Sequence, residues 1–434
     1  MTPAPVARLA RWPAAAPALA WPGGALTYGE LRARIEALAA AAAQGAPHSP
    51  LPIVSSSRLD MALGVLAALR LGRPALPLDP ARPDLDACLA ACAPAPTSTR
   101  TPATADDIAL MVPTSGTTGT ARVAMLSAAA LDAHVAASAA ALPPLGPGDR
   151  WLVCLPMTSI GALAALWRTL SAGACLGLLE RFDAADARQL MAQGASHVSI
   201  VPAMLAPLAG AVAPEPRGLR CLLSGGGPLS AATAAIAQAR GWPLWNGWGM
   251  TETCSHVAVG PVDAHWREGV VGRPLPGVML ESEAPDGRLA MRGPMLMSGY
   301  ARPGLAPGSG LEADGRFRSG DVGELLPGGT LRVTGRADDV IVTGGVNVQP
   351  QAVEQALEGC PGAGEVAVCA RPDPRWGRVL VALYTGDAQA GALESWARAH
   401  LPSASRPREF RRVARLPRNA MGKLLRAELA QLLG

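Results

Sequence analysis

Lysine is all but missing from this chain. Of 38 basic residues among 434, only Lys423 is a lysine, and Asn246, Asn347 and Asn419 are the only asparagines. Phenylalanine and tyrosine occur three times each. These four residues share A/T-rich codons, so a GC-rich genome in which Arg replaces Lys accounts for the bias. Positions that keep a rare residue type deserve inspection, because ammonium and guanidinium differ in shape and hydration.

Other shortages exclude whole classes of function. A net charge of +4 over this length makes no basic stripe, and few aromatics are available to stack on bases. Nucleic-acid binding is set aside on both counts. The eight cysteines (Cys88, Cys92, Cys154, Cys175, Cys221, Cys254, Cys360 and Cys369) form no CxxC pair, and the six histidines show no metal-ligand spacing. Small buried thiols are the expected reading. No run approaches the roughly 18 apolar residues of a membrane span. The N-terminus imitates a signal peptide, with Arg8 and Arg11 before an Ala-Leu-Ala end, but Pro13, Pro17 and Pro22 interrupt it. A cytoplasmic protein is expected. The 48 glycines and 41 prolines are about a fifth of the chain, below the roughly 25–30% of low-complexity sequences, so a folded chain of two or three domains is expected.

What is present alternates between strand and helix. Thr27 and Glu30 form a capping box, after which Leu31, Ile35, Leu38 and Ala42 fall on one helical face. A strand at 52–55, a helix at 58–71 and a strand at 74–78 read as a βαβ unit on a parallel sheet. The pattern returns at 151–155, 162–172, 197–201 and 219–223. From about Leu280 short alternating segments predict antiparallel strands. The last hundred residues read as a small α+β unit, with the boundary at 335–338.

Five segments carry chemistry. The apolar run Ile108–Pro113 empties into Thr114-Ser115-Gly116-Thr117-Thr118-Gly119-Thr120, small residues whose N–H groups and hydroxyls can wrap phosphate oxygens. Neither a Walker A loop nor a GxGxxG turn is present, and taken alone the loop fits an ordinary polar turn equally well. Asn246-Gly247-Trp248-Gly249-Met250-Thr251-Glu252-Thr253, after the short strand Leu244-Trp245, sets one carboxylate among hydroxyls and glycines, suited to Mg²⁺ beside a polyphosphate. In Gly315–Asp321 an aspartate could accept both hydroxyls of a ribose, and Arg336 could reach the same nucleotide. Arg418-Asn419-Ala420-Met421-Gly422-Lys423 holds the only lysine.

In this order and at these separations, TSGTTG, NGWGMTET, GRFRSGD, GRADD and RNAMGK resemble the adenylate-forming superfamily of acyl-CoA synthetases, adenylation domains and luciferases. The resemblance covers nearly the whole chain. Four further stretches are similar to its o-succinylbenzoate–CoA ligase branch: 250–255, 344–350, 376–379, and 416–420 with 423–426. It implies an α/β fold: a large N-terminal domain (1–335) of parallel-rich sheets with helices and a small β-barrel-like part, then a small mobile α+β domain (336–434). The implied activity is an ATP- and Mg²⁺-dependent acid–thiol ligase. It forms an acyl-AMP, then an acyl-CoA, with o-succinylbenzoate favoured. The alternative is a stand-alone enzyme for another aryl or fatty acid, loading CoA or a carrier-protein phosphopantetheine. A non-catalytic adenylate binder is disfavoured by the presence of Glu252, Asp321 and Lys423. Implied partners are the carboxylic acid, ATP and CoA, with neither nucleic acid nor membrane insertion. A homodimer is among the assemblies allowed.

Residue by residue, the resemblance places Thr114 to Thr118 and Gly119 at the phosphates, with Gly247, Trp248, Gly249, Met250 and Thr251 beside the nucleotide. Glu252 and Thr117 would hold Mg²⁺, Asp321 the ribose, and Arg336 would support the nucleotide. Lys423 would bridge the substrate carboxylate and the α-phosphate, where a slim ammonium suits a crowded anionic cleft. Gly344 and Gly345 would face the pantetheine of CoA, and Asp338 would be the hinge. Ser159, Arg168, Ser224–Gly227 (Gly226 among them) and Ser255 fall near the acyl pocket. Arg168 and His256 are candidate partners for a second carboxylate. Three departures stand out: Arg122 replaces the loop's usual Lys, Thr158-Ser159 replaces an aromatic-His pair, and Val346 replaces a Glu.

Overall fold

The computed structural model describes residues 4–43, 49–92, 108–114, 122–301, 309–419, 422 and 424–433. The helix Tyr28–Ala41 starts where the sequence places it. Thr27 Oγ1 accepts from Glu30 N, and Glu30 Oε2 accepts from Thr27 N at 2.8 Å. Its buried face is Tyr28, Leu31, Ile35 and Ala39. Leu38 is 38% exposed and Ala42 lies past the helix as its cap, so the expected face is corrected. Tyr28 causes the rotation: its ring is buried beside Trp12, with its hydroxyl donating to Ala174 O.

Two sheets carry the large N-terminal part. In the described residues one has five strands, with Ile108–Thr114 between Ala75–Leu78 (parallel) and Arg122–Ser127 (antiparallel). The other runs through thirteen strands. Its parallel centre is Cys175–Leu178, Arg150–Val153, His197–Ile200, Cys221–Ser224 and Leu244–Met250. The first four are buried on both faces, as parallel strands covered by helices must be, whereas Leu244–Met250 alternates between buried and half-buried residues. The N-terminal segment is built into this core, with Leu9 buried and Trp12 Nε1 donating to Leu170 O.

Two expectations are corrected. The antiparallel run that follows the parallel centre begins at Ser255–Pro261, well before Leu280. Val257, Ala258 and Val259 are all buried, so that strand lacks the alternation that marks one solvated face. The strand expected over Leu244-Trp245 continues to Met250, so Gly247-Trp248-Gly249 is strand and not loop. Beyond it the antiparallel strands Val270–Pro274, Met279–Glu283, Arg288–Arg292, Phe317–Leu326 and Thr330–Arg336 extend the ladder.

The C-terminal residues pack around their own apolar clusters. The hairpin of Ile341–Thr343 and Val346–Val348 leads to the helix Pro350–Glu358. Then Ala363–Asp373 pairs with Gly377–Gly386, which carries Glu409–Arg412 in parallel. The helix Ala390–His400 contributes Leu393 and Ala397 to that core. No helix among the described residues is long and apolar enough to cross a membrane.

Candidate active site

A cavity of about 650 Å³ opens where the two sheets and the C-terminal part meet. One wall is a hairpin whose tip carries Glu252. Gly249 makes it possible: a Cβ there would stand 2.0 Å from Ser255 O, so only glycine lets the strands Leu244–Met250 and Ser255–Pro261 approach. The connecting turn is held by Thr253, whose hydroxyl reaches Met250 O and Ser255 O. The turn is strained, with Cys254 at φ 55° and Ser255 at φ 110°. Met250, Thr251, Glu252 and Ser255 thereby line the cavity. Tyr300 Oη donates to Glu252 Oε1 at 2.5 Å, and Glu252 O accepts from Met297 N.

Asp321 is placed by the register of Phe317–Leu326 against Thr330–Arg336, which sets it opposite Arg336. One carboxylate oxygen accepts from Arg336 Nη1 at 2.8 Å, the other from Trp248 Nε1 at 2.7 Å. Each oxygen keeps a second lone pair, so this carboxylate can still accept from a diol. Asp338 lies 3.6 Å from Arg336 and 3.8 Å from Arg288, on the cavity rim.

Deeper in the cavity is a cluster that sequence spacing does not announce. Arg168, on the helix Ile160–Ala172, is 4% exposed. Its guanidinium sits 4.6 Å from the ring of Trp151. Its Nη1 donates to Ser138 Oγ at 3.3 Å and to His256 Nδ1 at 3.4 Å, while its Nε has no partner among the described residues. No carboxylate pairs with it among the described residues. His256 Nε2 lies 3.1 Å from Ser138 Oγ, and His134 Nε2 donates to His256 O. Burial, then the Arg168 charge, then His134 push His256 well below the ordinary histidine range. Burial and Arg168 lower His134 to about 3, and burial lowers Arg168 to about 10. A buried cation beside neutral rings faces the cavity unneutralised.

The other sequence candidates divide. Thr114, Gly226, Gly247 and Ser159 line the cavity, and Ser159 also caps the Arg168 helix, accepting from Ala162 N and donating to Pro156 O. Ser115, Gly116, Thr117, Thr118, Gly119 and Lys423 lie outside the described residues. Their flanks are placed: Thr114 pairs with Arg122 across the loop's base, Asn419 lines the cavity, and Gly422 lies against Val201 and Ala203. Gly344 and Gly345 do not join the cavity. They turn the hairpin at φ 56° and 81°, and Gly344 packs on Trp376 beside a separate cavity of about 100 Å³. Sequence reasoning passed over Tyr300, His134 and Ser138. For Tyr300 a signal existed, since it is one of only three tyrosines.

The profile of the family described as AMP-binding enzyme matches residues 81–301, and that of the AMP-binding enzyme C-terminal domain matches 352–423. The chain belongs to this family. Within it, the chain is 34% identical to a 2-succinylbenzoate–CoA ligase of Bacillus licheniformis, over 75% of this chain and 70% of the relative. It is 32% identical to the enzyme of that name from Lactococcus lactis, over 75% and 71%. Among solved structures it is similar to o-succinylbenzoate CoA synthetase (MenE) of Bacillus subtilis in complex with the acyl-adenylate intermediate, at TM-score 0.85 and 26% identity over 98% of each chain. ATP-bound MatB of Rhodopseudomonas palustris matches at TM-score 0.86 and 26% identity, over 100% and 99%. This AMP-binding enzyme is an AMP-forming ligase, and its two matched segments meet at the cavity built above.

Proposed function

We propose that this ligase converts o-succinylbenzoate to its CoA thioester. A carboxylate oxygen of the acid attacks the α-phosphorus of ATP, the bond to pyrophosphate breaks, and acyl-AMP forms. The CoA thiol then adds at the acyl carbon, AMP leaves with the bonding pair, and the thiol proton passes to solvent. Asp321 takes the ribose hydroxyls, with Trp248 and Arg336 fixing both its oxygens. The loop from Thr114 through Gly119 holds the phosphates, and Lys423 supplies positive charge at the reacting carboxylate and α-phosphate.

Glu252 suits a magnesium site, since Mg²⁺ takes one or two carboxylates and completes its shell with water and phosphate oxygens. Tyr300 aligns that carboxylate at the cavity, and Thr117 would join it. When bound, the ion supplies neutralising charge at the polyphosphate. Residues 1–335 bind ATP and acid; 336–434 carry Lys423 and turn at Asp338 to bring Gly344 and Gly345 toward CoA. ATP and CoA are cytoplasmic pools, which is where this reaction is placed.

The single observation behind the choice of acid is Arg168, a buried cation in the cavity wall with no carboxylate partner among the described residues. An acid with a second carboxylate supplies the missing counter-charge; a monocarboxylic aryl or fatty acid does not. The test is pyrophosphate release over a panel of acids, with CoA or a carrier protein as acceptor. The expected result is highest kcat/KM with 2-succinylbenzoate and CoA. Arg168→Ala should cut that value by on the order of 10²-fold, since a buried charge-assisted contact is lost. Equal use of monocarboxylic acids, transfer to a carrier protein alone, or no release with any acid would overturn the reading.

A further inference from the structure

We propose that His256 and Ser138 are positioning residues that aim the Arg168 guanidinium at the second carboxylate of the acid, His256 as a neutral Nδ1 acceptor and not as a ligand. The proposal rests on the role given to Arg168 above. Its basis is the direction of the hydrogen bonds. A guanidinium has only donors, so the 3.4 Å contact from Arg168 Nη1 requires a bare Nδ1 on His256. The proton of His256 is then on Nε2, facing Ser138 Oγ. Ser138 accepts from the same Nη1. Two neutral acceptors thus hold one guanidinium nitrogen, the ring of Trp151 lies against the guanidinium carbon, and Nε has no partner among the described residues.

Neutral acceptors matter here. A carboxylate in the place of His256 would pair with Arg168 outright and cancel the charge the substrate needs. An imidazole fixes the direction and leaves the charge. The groups facing His256 favour this state. Arg168 comes from the helix Ile160–Ala172 and His134 from Ala128–Ala141, and both oppose a second positive charge. Beyond Arg168, the neighbouring titratable groups are Cys221 and His197; burial keeps that thiol protonated and that imidazole neutral.

The test compares 2-succinylbenzoate with 4-oxo-4-phenylbutanoate, which lacks the ring carboxylate. The readout is the ratio of their kcat/KM values. His256→Ala should lower that ratio about 10-fold, mostly through KM, as expected for one lost orienting hydrogen bond to a charged group. His256→Asn, whose Oδ1 can take the place of Nδ1, should recover most of it. Ser138→Ala should lower it too, and gives the same readout should His256→Ala fail to fold. In the unaltered enzyme, KM for 2-succinylbenzoate should stay flat between about pH 6 and 8.5, because a neutral imidazole has no proton to lose there. A KM that rises with pH would mean an imidazolium holding the anion itself, and would overturn the proposal. So would an unchanged ratio in His256→Ala and Ser138→Ala, or His256→Asn no better than His256→Ala. Arg168→Ala separates the two readings. If it leaves the ratio intact, the choice of acid fails with the proposal; if it abolishes the ratio while the His256 and Ser138 variants do not, only the positioning role fails.

Discussion

Tyr300 and Glu252 show how much one side chain can depend on another far along the chain. The hydroxyl stays protonated, since burial and the adjacent carboxylate both push the phenol pKa upward. It therefore remains a donor and fixes one oxygen of Glu252. Tyr300→Phe should leave that oxygen unpaired, lower kcat by about 10-fold and raise the Mg²⁺ concentration needed for half-maximal rate. Pyrophosphate release across a Mg²⁺ titration measures both, and an unchanged Mg²⁺ dependence would count against the role of Glu252. The carboxylate is legible in its motif. Its partner, 48 residues away, is not, because the pair forms only when the strand Gly299–Ala301 joins the five-stranded sheet. Arg168 is similar: its chemical type is plain, but its want of a carboxylate among the described residues is a property of everything packed around it.

At the scale of elements, the Glu252 hairpin rests on Gly249. A methyl group there would meet Ser255 O at 2.0 Å and His256 Cα at 2.5 Å, backbone atoms that cannot step aside. Gly249→Ala should cost about 3 kcal/mol or more by forcing the two strands apart. Gly210→Ala, with nothing within 4 Å of its Cβ, should shift stability by less than about 0.5 kcal/mol. Urea midpoints of the two variants check this, and a small loss at Gly249 would mean the hairpin adapts. The capping box at Thr27 and the βαβ rhythm are visible in sequence because they depend on neighbours three or four residues apart. The Gly-Trp-Gly stretch misleads. Its glycines look like loop punctuation, yet Gly249 serves close strand approach, which is a property of the partner strand.

Across the whole molecule, the buried histidines make stability depend on pH. In the folded chain His134 falls to about 3 and His256 lies well below its ordinary value of 6.5, so both are neutral where an unfolded chain would take up protons. Below about pH 6.5 the unfolded state binds the extra protons, and stability falls as pH falls, by about 1.4 kcal/mol per pH unit for each such histidine. For His134 the loss continues to about pH 3. Urea midpoints at about pH 7.5 and pH 5 should show this slope, and His134→Gln should flatten it; a slope untouched by that change would place the acid lability elsewhere. The sequence by itself determined the fold class and the order of the motifs, because periodicity, capping and turn chemistry act over a few residues. It also marked positions where a rare residue survived in a chain that replaces Lys with Arg. Only the tertiary structure decided which groups meet. Arg168 and His256 stand 88 residues apart and come into contact because a helix and a strand pack at one end of a shared cavity. Whether a buried charge is neutralised depends on every element around it, and no local pattern records that.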